Sequence, residues 1–395
     1  MLKQIVNGRI LTPEGWLTGG SVVVEGTKIK AVVNTELPIE GAEIIDAKGH
    51  YVVPGGIELH IHGGGGRDFM EGTEEAFKVA VETHLMYGTT AIYPTLSSST
   101  VPMIKDAIKT TEKMMAEDPN TPIMGLHLEG PYFNLEMAGG QIPENIRLAD
   151  PAEYKEILES TNVIKRWDAA PELHGALEFG KCCCEHGVLP SIAHTKVDYD
   201  GVVKAYEHGY THVTHFYNAM TGFHKVREYK KAGCIEAVYD IEDMTVEMIA
   251  DSIHVPTPML RMIYKFKGVE NTALITDALS CTKTQNDYAF DPRVIIEDGV
   301  CKLADRSALA GSIATMDRLL RTCVTEAGIP MEDAVRMSSE SPARIMGILD
   351  RKGTLEAGKD ADITMYDNDI NLRYVMAMGK VWRDNIDQID PEFVS

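Results

Sequence analysis

Positive charge is what this chain has least of. Its 395 residues carry 38 Lys and Arg against 59 Asp and Glu, a formal charge of −21. An acidic excess of that size repels nucleic acid and anionic membrane surfaces before any contact forms, so neither is expected as a partner, although a local cationic site stays compatible with it. Long apolar runs are missing too: none approaches the roughly 18 residues that span a bilayer. The opening Met1-Leu2-Lys3-Gln4-Ile5-Val6-Asn7-Gly8 lacks a secretory apolar core, and the expected location is cytoplasmic. The cysteines number seven, and Cys182, Cys183 and Cys184 are consecutive, so a disulfide framework is not expected. They read as small helix residues in a reducing compartment. A dinucleotide fingerprint is also lacking, because Gly63 to Gly66 follow a His pair and lead to Arg67-Asp68 where a cofactor-binding loop would open a helix.

What is present is an ordinary globular composition, 44% apolar and 25% charged. The length admits two or three domains, or one large barrel with an appendage. Short strand-like runs fill both ends. Ser21 to Val24 and Lys28 to Val33 flank Glu25-Gly26-Thr27 as a hairpin, and Asp362 to Tyr366, Tyr374 to Ala377 and Gly379 to Trp382 close the chain. Neither end suffices for a core. Residues 1–53 and 353–395 are therefore expected to share one small discontinuous β-sandwich, with 54–352 inserted between them.

The inserted part repeats a unit: a helical stretch, a Gly, an apolar run and then a polar residue. It recurs at Met86-Tyr87-Gly88 leading to Thr95, Glu185-His186-Gly187 leading to His194, and Glu207-His208-Gly209 leading to His215. Gly suits the left-handed position that ends a helix, and the apolar run after it reads as a buried parallel strand. Val52–His62, Ile123–Glu129, Val163–Ala170, Met248–His254 and Ala273–Asp277 bring the candidate strands to eight. This pattern predicts an α/β fold, a (β/α)8 TIM-like barrel with chemistry at its C-terminal strand ends. A doubly wound open sheet is the competing architecture.

Of 13 His, four read as structural: His84, His174, His186 and His208 sit in helix-like stretches. His60 and His62 are two apart on a strand and so point to one side, which in a barrel is the interior. Glu129 ends the strand in Leu126-His127-Leu128-Glu129, His194 and His215 end two successive strands, and Asp277 ends the last. Each alone has a capping or core explanation. Together they form a set of imidazole and carboxylate groups at one end of a barrel, a set suited to Zn or Fe, and no Cys joins it.

These stretches resemble the amidohydrolase superfamily, and within it the N-acetylglucosamine-6-phosphate deacetylases. The resemblance rests on Pro54-Gly55-Gly56-Ile57-Glu58-Leu59-His60-Ile61-His62-Gly63-Gly64, on His127 to Asn134, on Ala170-Pro171-Glu172 and on Ile192-Ala193-His194-Thr195. It continues through Thr214 to Met220, Ile275-Thr276-Asp277-Ala278 and Leu309-Ala310-Gly311-Ser312. It implies that Glu129, His194 and His215 hold a divalent metal ion, Zn or Fe, that His60 and His62 hold a second one in some members, and that Asp277 is the catalytic acid/base. It further implies substrate contacts from Gly140, Gln141, Asn218, Ala219, His224, Arg227, His254, Leu309, Ala310 and Gly311, with Arg227 on the phosphate. Gln141 stands where the family commonly has His, and the spacing from Asn218 to Arg227 is one residue longer than usual.

The implied activity is removal of the acetyl group of N-acetylglucosamine 6-phosphate by a homodimer, with one subunit helping to bind the other's phosphate. Three alternatives stay open: the N-acetylgalactosamine 6-phosphate epimer, a cyclic amide or N-acyl amino acid as substrate, and a catalytically dead barrel serving assembly. Asp298-Gly299, between two β-rich runs, predicts a hairpin after the last barrel strand. It either flanks the mouth of the site or lies free on the surface.

Overall fold

A computed structural model describes residues 1–284 and 289–388. Eight parallel strands form its centre: β1 (Gly56–Ile61), β2 (Thr89–Leu96), β3 (Leu126–Tyr132), β4 (Ile164–Ala169), β5 (Leu189–Ile192), β6 (His212–Val213), β7 (Thr245–Met248) and β8 (Thr272–Leu274). Neighbours in the chain are neighbours in the sheet. The sheet closes on itself past the end of β8, where the Asp277 amide donates to the His60 carbonyl (3.0 Å) and the His62 amide to Ala278 (2.9 Å). The (β/α)8 barrel is therefore the architecture, and the open doubly wound sheet is not. Gly88, Gly187 and Gly209 end helical stretches with φ of 95°, 68° and 96°, as the repeat predicts.

Strand boundaries differ from the sequence expectation: β3 starts at Leu126 and continues past Glu129 to Tyr132, β8 ends at Leu274 before Asp277, and two runs differ more. The run Val52–His62 is two strands, Tyr51–Pro54 and β1, broken at Gly55. A Cβ there would lie 2.2 Å from the Thr90 hydroxyl, so only glycine lets the chain pass from one sheet to the other. The run Met248–His254 is displaced, because β7 ends at Met248 and the following residues form a loop. Asp251 turns that loop by accepting the amides of Ile253 (2.9 Å) and His254 (2.8 Å), while Ser252 takes a left-handed φ of 65°. His174 lies in a turn, not a helix. His186 and His208 do cap helices, each ring Nδ1 pairing with a carbonyl one turn back, Cys182 (2.8 Å) and Lys204 (2.7 Å).

The chain ends meet as expected. Tyr51–Pro54 pairs antiparallel with Ile363–Tyr366 in a six-stranded sheet, which packs on a four-stranded sheet containing the Ser21–Glu25 and Lys28–Val33 hairpin. Ile5, Ile10, Val22, Val24, Val52, Ile363 and Met365 fill the space between the two sheets. No helix among the described residues is long and apolar enough to cross a membrane.

Candidate metal centre and active-site cavity

Alternation along β1 sends Ile57, Leu59 and Ile61 into apolar packing and Glu58, His60 and His62 into the barrel lumen. The lumen is polar throughout. Arg166 and Asp168 from β4, His212 from β6 and Glu247 from β7 are all fully buried there. Above this floor the ligand candidates converge. His60 and His62 bring their Nε2 atoms to 3.2 Å, and His194 and His215 bring theirs to 3.1 Å. Glu129 sits between the pairs: Oε1 is 3.0 Å from His194 and 3.1 Å from His215, while Oε2 is 3.3 Å from His62. Two overlapping groups result, His60/His62/Glu129 and Glu129/His194/His215, each close enough to share one ion.

The backbone contributes strain. His194, His215 and Asp277 adopt φ of 45°, 29° and 50°, left-handed values that non-glycine residues rarely take. All three lie just beyond strand ends, and the departure from strand geometry is what turns each side chain over the barrel mouth. Such strain persists only where surrounding structure over-determines it. At Asp277 that structure is Ser312, whose amide donates to the Asp277 carbonyl (2.7 Å) and whose hydroxyl donates to that of Thr276 (2.5 Å).

The tautomers test whether a cation fits. The His194 Nδ1 faces the Met137 carbonyl at 2.8 Å, and the His60 Nδ1 faces the Glu247 carboxylate at 3.0 Å. Both partners only accept, so both Nδ1 atoms carry the proton, and Nε2 is the nitrogen left to present a lone pair to a cation whenever the ring is neutral. Lone pairs aimed at the Glu129 carboxylate repel it unless positive charge lies between them. The electrostatics agree. Burial opposes charge on His62, yet Asp277 and Glu129 hold its pKa up at about 9. Burial likewise raises Asp277, but His60 and His62 outweigh it and keep that carboxyl below its usual range. Asp277 Oδ1 stands 3.2 Å from His62 Nε2. The donor set fits one or two divalent ions of the kind that accept nitrogen and oxygen ligands.

The cluster opens into a cavity of about 410 Å³ lined by His62, Glu129, His194, His215 and Asp277 together with Gly140, Gln141, Asn218, Ala219, His254, Leu309, Ala310 and Gly311. His60 lies behind this wall, touching the ligands without lining the space. Gln141 links the Ser98 amide (2.6 Å) to Glu129 Oε2 (2.6 Å), placing a side-chain amide against the shared carboxylate. His254 is steadied by Asp251 (2.8 Å) and has a buried Nε2 without a partner among the described residues. The hairpin Val294–Glu297/Val300–Leu303 turns at Asp298-Gly299 and does flank the mouth: Val294 lines the cavity, and Arg293 donates to the carbonyls of Gly140 and Gln141 (both 3.1 Å).

Two expected substrate contacts are not brought there. His224 and Arg227 lie on an exposed ribbon, His224–Val226 paired with Tyr229–Lys231, and do not line the cavity. Among the described residues its lining includes the acidic Asp68, Glu136 and Asp291 but no Lys or Arg. Asp68 and Glu247 were both missed in the sequence. For Glu247 the signal was a lone acidic residue in Thr245-Val246-Glu247-Met248, obscured by placing the strand a few residues too late.

Similarity to known proteins matches this geometry. The amidohydrolase family model matches residues 51–382. An N-acetylglucosamine-6-phosphate deacetylase of Haemophilus influenzae is 30% identical over 390 residues, covering 98% of this chain and 100% of that protein. The crystal structure of N-acetylglucosamine-6-phosphate deacetylase from Pasteurella multocida superposes with a TM-score of 0.91 at 30% identity, covering 96% of this chain and 99% of that one. A Mycobacterium smegmatis variant, determined in complex with N-acetyl-D-glucosamine-6-phosphate, gives 0.89 at 29%, over 97% and 99%. A model match across most of the chain, full-length relatives and a shared fold establish that the chain belongs to the amidohydrolase family.

Proposed function

We propose that the chain hydrolyses the acetamide of N-acetylglucosamine 6-phosphate, giving glucosamine 6-phosphate and acetate. The observation that carries this reading is the pair of His/Glu groups sharing Glu129, with Asp277 3.2 Å from His62 at the floor of the cavity. Glu129, His194 and His215 would hold one divalent ion and His60 and His62 a second, with Zn or Fe suited to these ligands. Such an ion acidifies water and polarises an acyl oxygen. Asp277 takes the proton from the attacking water and delivers it to the departing nitrogen, which cannot leave as an anion. Asn218, His254 and the Leu309-Ala310-Gly311 segment orient the sugar, and Gln141 fixes Glu129. Glu129, rather than a carboxylated Lys, is the shared carboxylate, which favours the sugar phosphate over a cyclic amide.

A cavity whose described lining has carboxylates and no Lys or Arg is a poor phosphate site by itself. This supports a homodimer in which the ribbon bearing His224 and Arg227 reaches a neighbouring subunit's substrate. Residues 1–53 with 353–395 form the small domain in this scheme, 54–352 form the catalytic one, and the enzyme works in the cytoplasm. The test is acetate release from N-acetylglucosamine 6-phosphate and from N-acetylgalactosamine 6-phosphate, with wild type and Asp277→Asn. Turnover of the first sugar phosphate and a loss of about 10²–10⁴-fold in kcat with metal content unchanged is the expected result. Bound metal without acetate release from either sugar would refute the reading, and preference for the second would reassign the epimer.

A further inference from the structure

Beneath the ligand cluster, one carboxylate touches both halves of it. Glu247 is fully buried in the lumen. Its Oε2 accepts the His60 Nδ1 proton at 3.0 Å and the backbone amide of His215 at 2.9 Å. Its backbone carbonyl accepts the Phe216 amide at 3.0 Å, so the strand end carrying His215 is held at two points. The other carboxylate oxygen is taken by the Arg166 guanidinium, with His212 Nε2 at 3.6 Å. Arg166 is itself fixed by His127 (2.9 Å) and by Asp168 (3.4 Å). With one oxygen on the Arg166 guanidinium and the other on two N–H groups, this carboxylate acts as an acceptor throughout.

We infer that Glu247 is a positioning residue that couples the two metal groups: it sets the His60 tautomer for His60/His62/Glu129 and pins the backbone that presents His215 to Glu129/His194. The inference rests on the reading of the cluster as a metal centre. Its chemistry is specific. A glutamine here has one oxygen, and the Arg166 cation claims it; the amide NH2 then faces His60 Nδ1, a donor. To relieve that clash His60 must move its proton to Nε2, and an Nε2–H cannot ligate a cation. The buried amide of His215 is left without its acceptor as well.

The experiment uses the full-length protein stripped of metal, with Zn²⁺ as the probe, titrated against a competing chelator. Glu247→Gln is expected to weaken binding at one site by about 10–100-fold, as loss of a carboxylate behind a ligating His does, with a smaller loss at the other. Glu247→Asp keeps the charge and the acceptor oxygens and shortens the reach by one methylene, so its affinity should lie between that of Gln and wild type. Far-ultraviolet circular dichroism and the melting temperature of the metal-free proteins report whether each variant folds. A folded Glu247→Gln with wild-type affinity at both sites overturns the inference, as does an Asp variant no better than Gln. Independently of any variant, nitrogen-15 spectra of the Zn²⁺-loaded wild type should show His60 protonated at Nδ1, and a proton on Nε2 with Nδ1 bare overturns the inference directly. Failure of wild type to bind Zn²⁺ defeats the metal reading and the inference with it, whereas normal wild-type binding with an unaffected variant defeats the role of Glu247 alone.

Discussion

At the scale of single residues, the centre is built from groups whose ordinary behaviour is suppressed by burial and restored by a partner. His84 shows this outside the metal cluster. It is fully buried, its Nε2 lies 2.9 Å from the Gly63 carbonyl, and burial depresses its pKa to about 4. Between about pH 6.5 and 4 the unfolded chain therefore binds a proton that the folded chain refuses. The stability tied to neutral His84 is complete above 6.5 and disappears as pH falls toward 4, at about 3 kcal/mol. Urea unfolding at pH 7.0 and 4.5 should show that much more acid loss in wild type than in His84→Gln; parallel losses would rule it out. The types and order of the candidate ligand residues were legible in the sequence because several imidazoles and carboxylates at apolar strand ends are costly to bury unless they are paired or bind something. The left-handed turns at His194, His215 and Asp277 were not, since nothing local forces a non-glycine residue into that region.

At the scale of elements, the hairpin beyond β8 is the clearest case of a unit readable in form but not in purpose. Asp298-Gly299 takes φ of 55° and 74°, the conformation a tight two-residue turn demands, and the sequence signals it. That the hairpin presses on the site depends on Arg293, whose guanidinium holds the Gly140 and Gln141 carbonyls from across the cavity mouth. Arg293→Ala should raise KM about fivefold with kcat little changed, because a partly exposed charged hydrogen bond is worth about 1 kcal/mol and these bonds shape binding rather than chemistry. Steady-state kinetics checks this, and an equal fall in kcat would place Arg293 in the chemical step instead. The lumen strands carry a similar lesson. Arg166 and Asp168 alternate with the buried Trp167, so period-two reading already sends two charges to one face; only closure of the barrel makes that face an interior.

At the scale of the whole molecule, the joint between barrel and sandwich is electrostatic. Lys352 is almost wholly buried and pairs with Asp360 (2.9 Å) and Asp362 (2.5 Å). Asp360 has Lys28 and Arg351 in reserve (both 2.7 Å), whereas Asp362 otherwise accepts the Met378 amide (2.8 Å). Lys352→Met should therefore strand the Asp362 charge and cost about 3 kcal/mol, the lower end for removing one partner of a buried pair. Chemical denaturation measures it, and Lys352→Met with Asp362→Asn should recover part of the loss. A single mutant as stable as wild type would show that water reaches the joint. The overall charge of −21 is thus a surface property with little bearing on the site, where a small set of buried groups decides the local sign.

The amino-acid sequence by itself determined the barrel class, the sharing of one sandwich by both chain ends, and which groups, His60, His62, Glu129, His194, His215 and Asp277, are the candidates brought together at the barrel mouth. These follow from periodicity, turn chemistry and residue type, all of which act over a few neighbours. Tertiary structure alone decided that Glu247 meets both His60 and the His215 amide, that Arg293 reaches the Gly140 and Gln141 carbonyls, and that His224 and Arg227 stand away from the cavity lining. The reason is distance along the chain. Glu247 lies 187 residues from His60 and Arg293 153 residues from Gly140, and no local pattern encodes a contact that exists only once the barrel has closed.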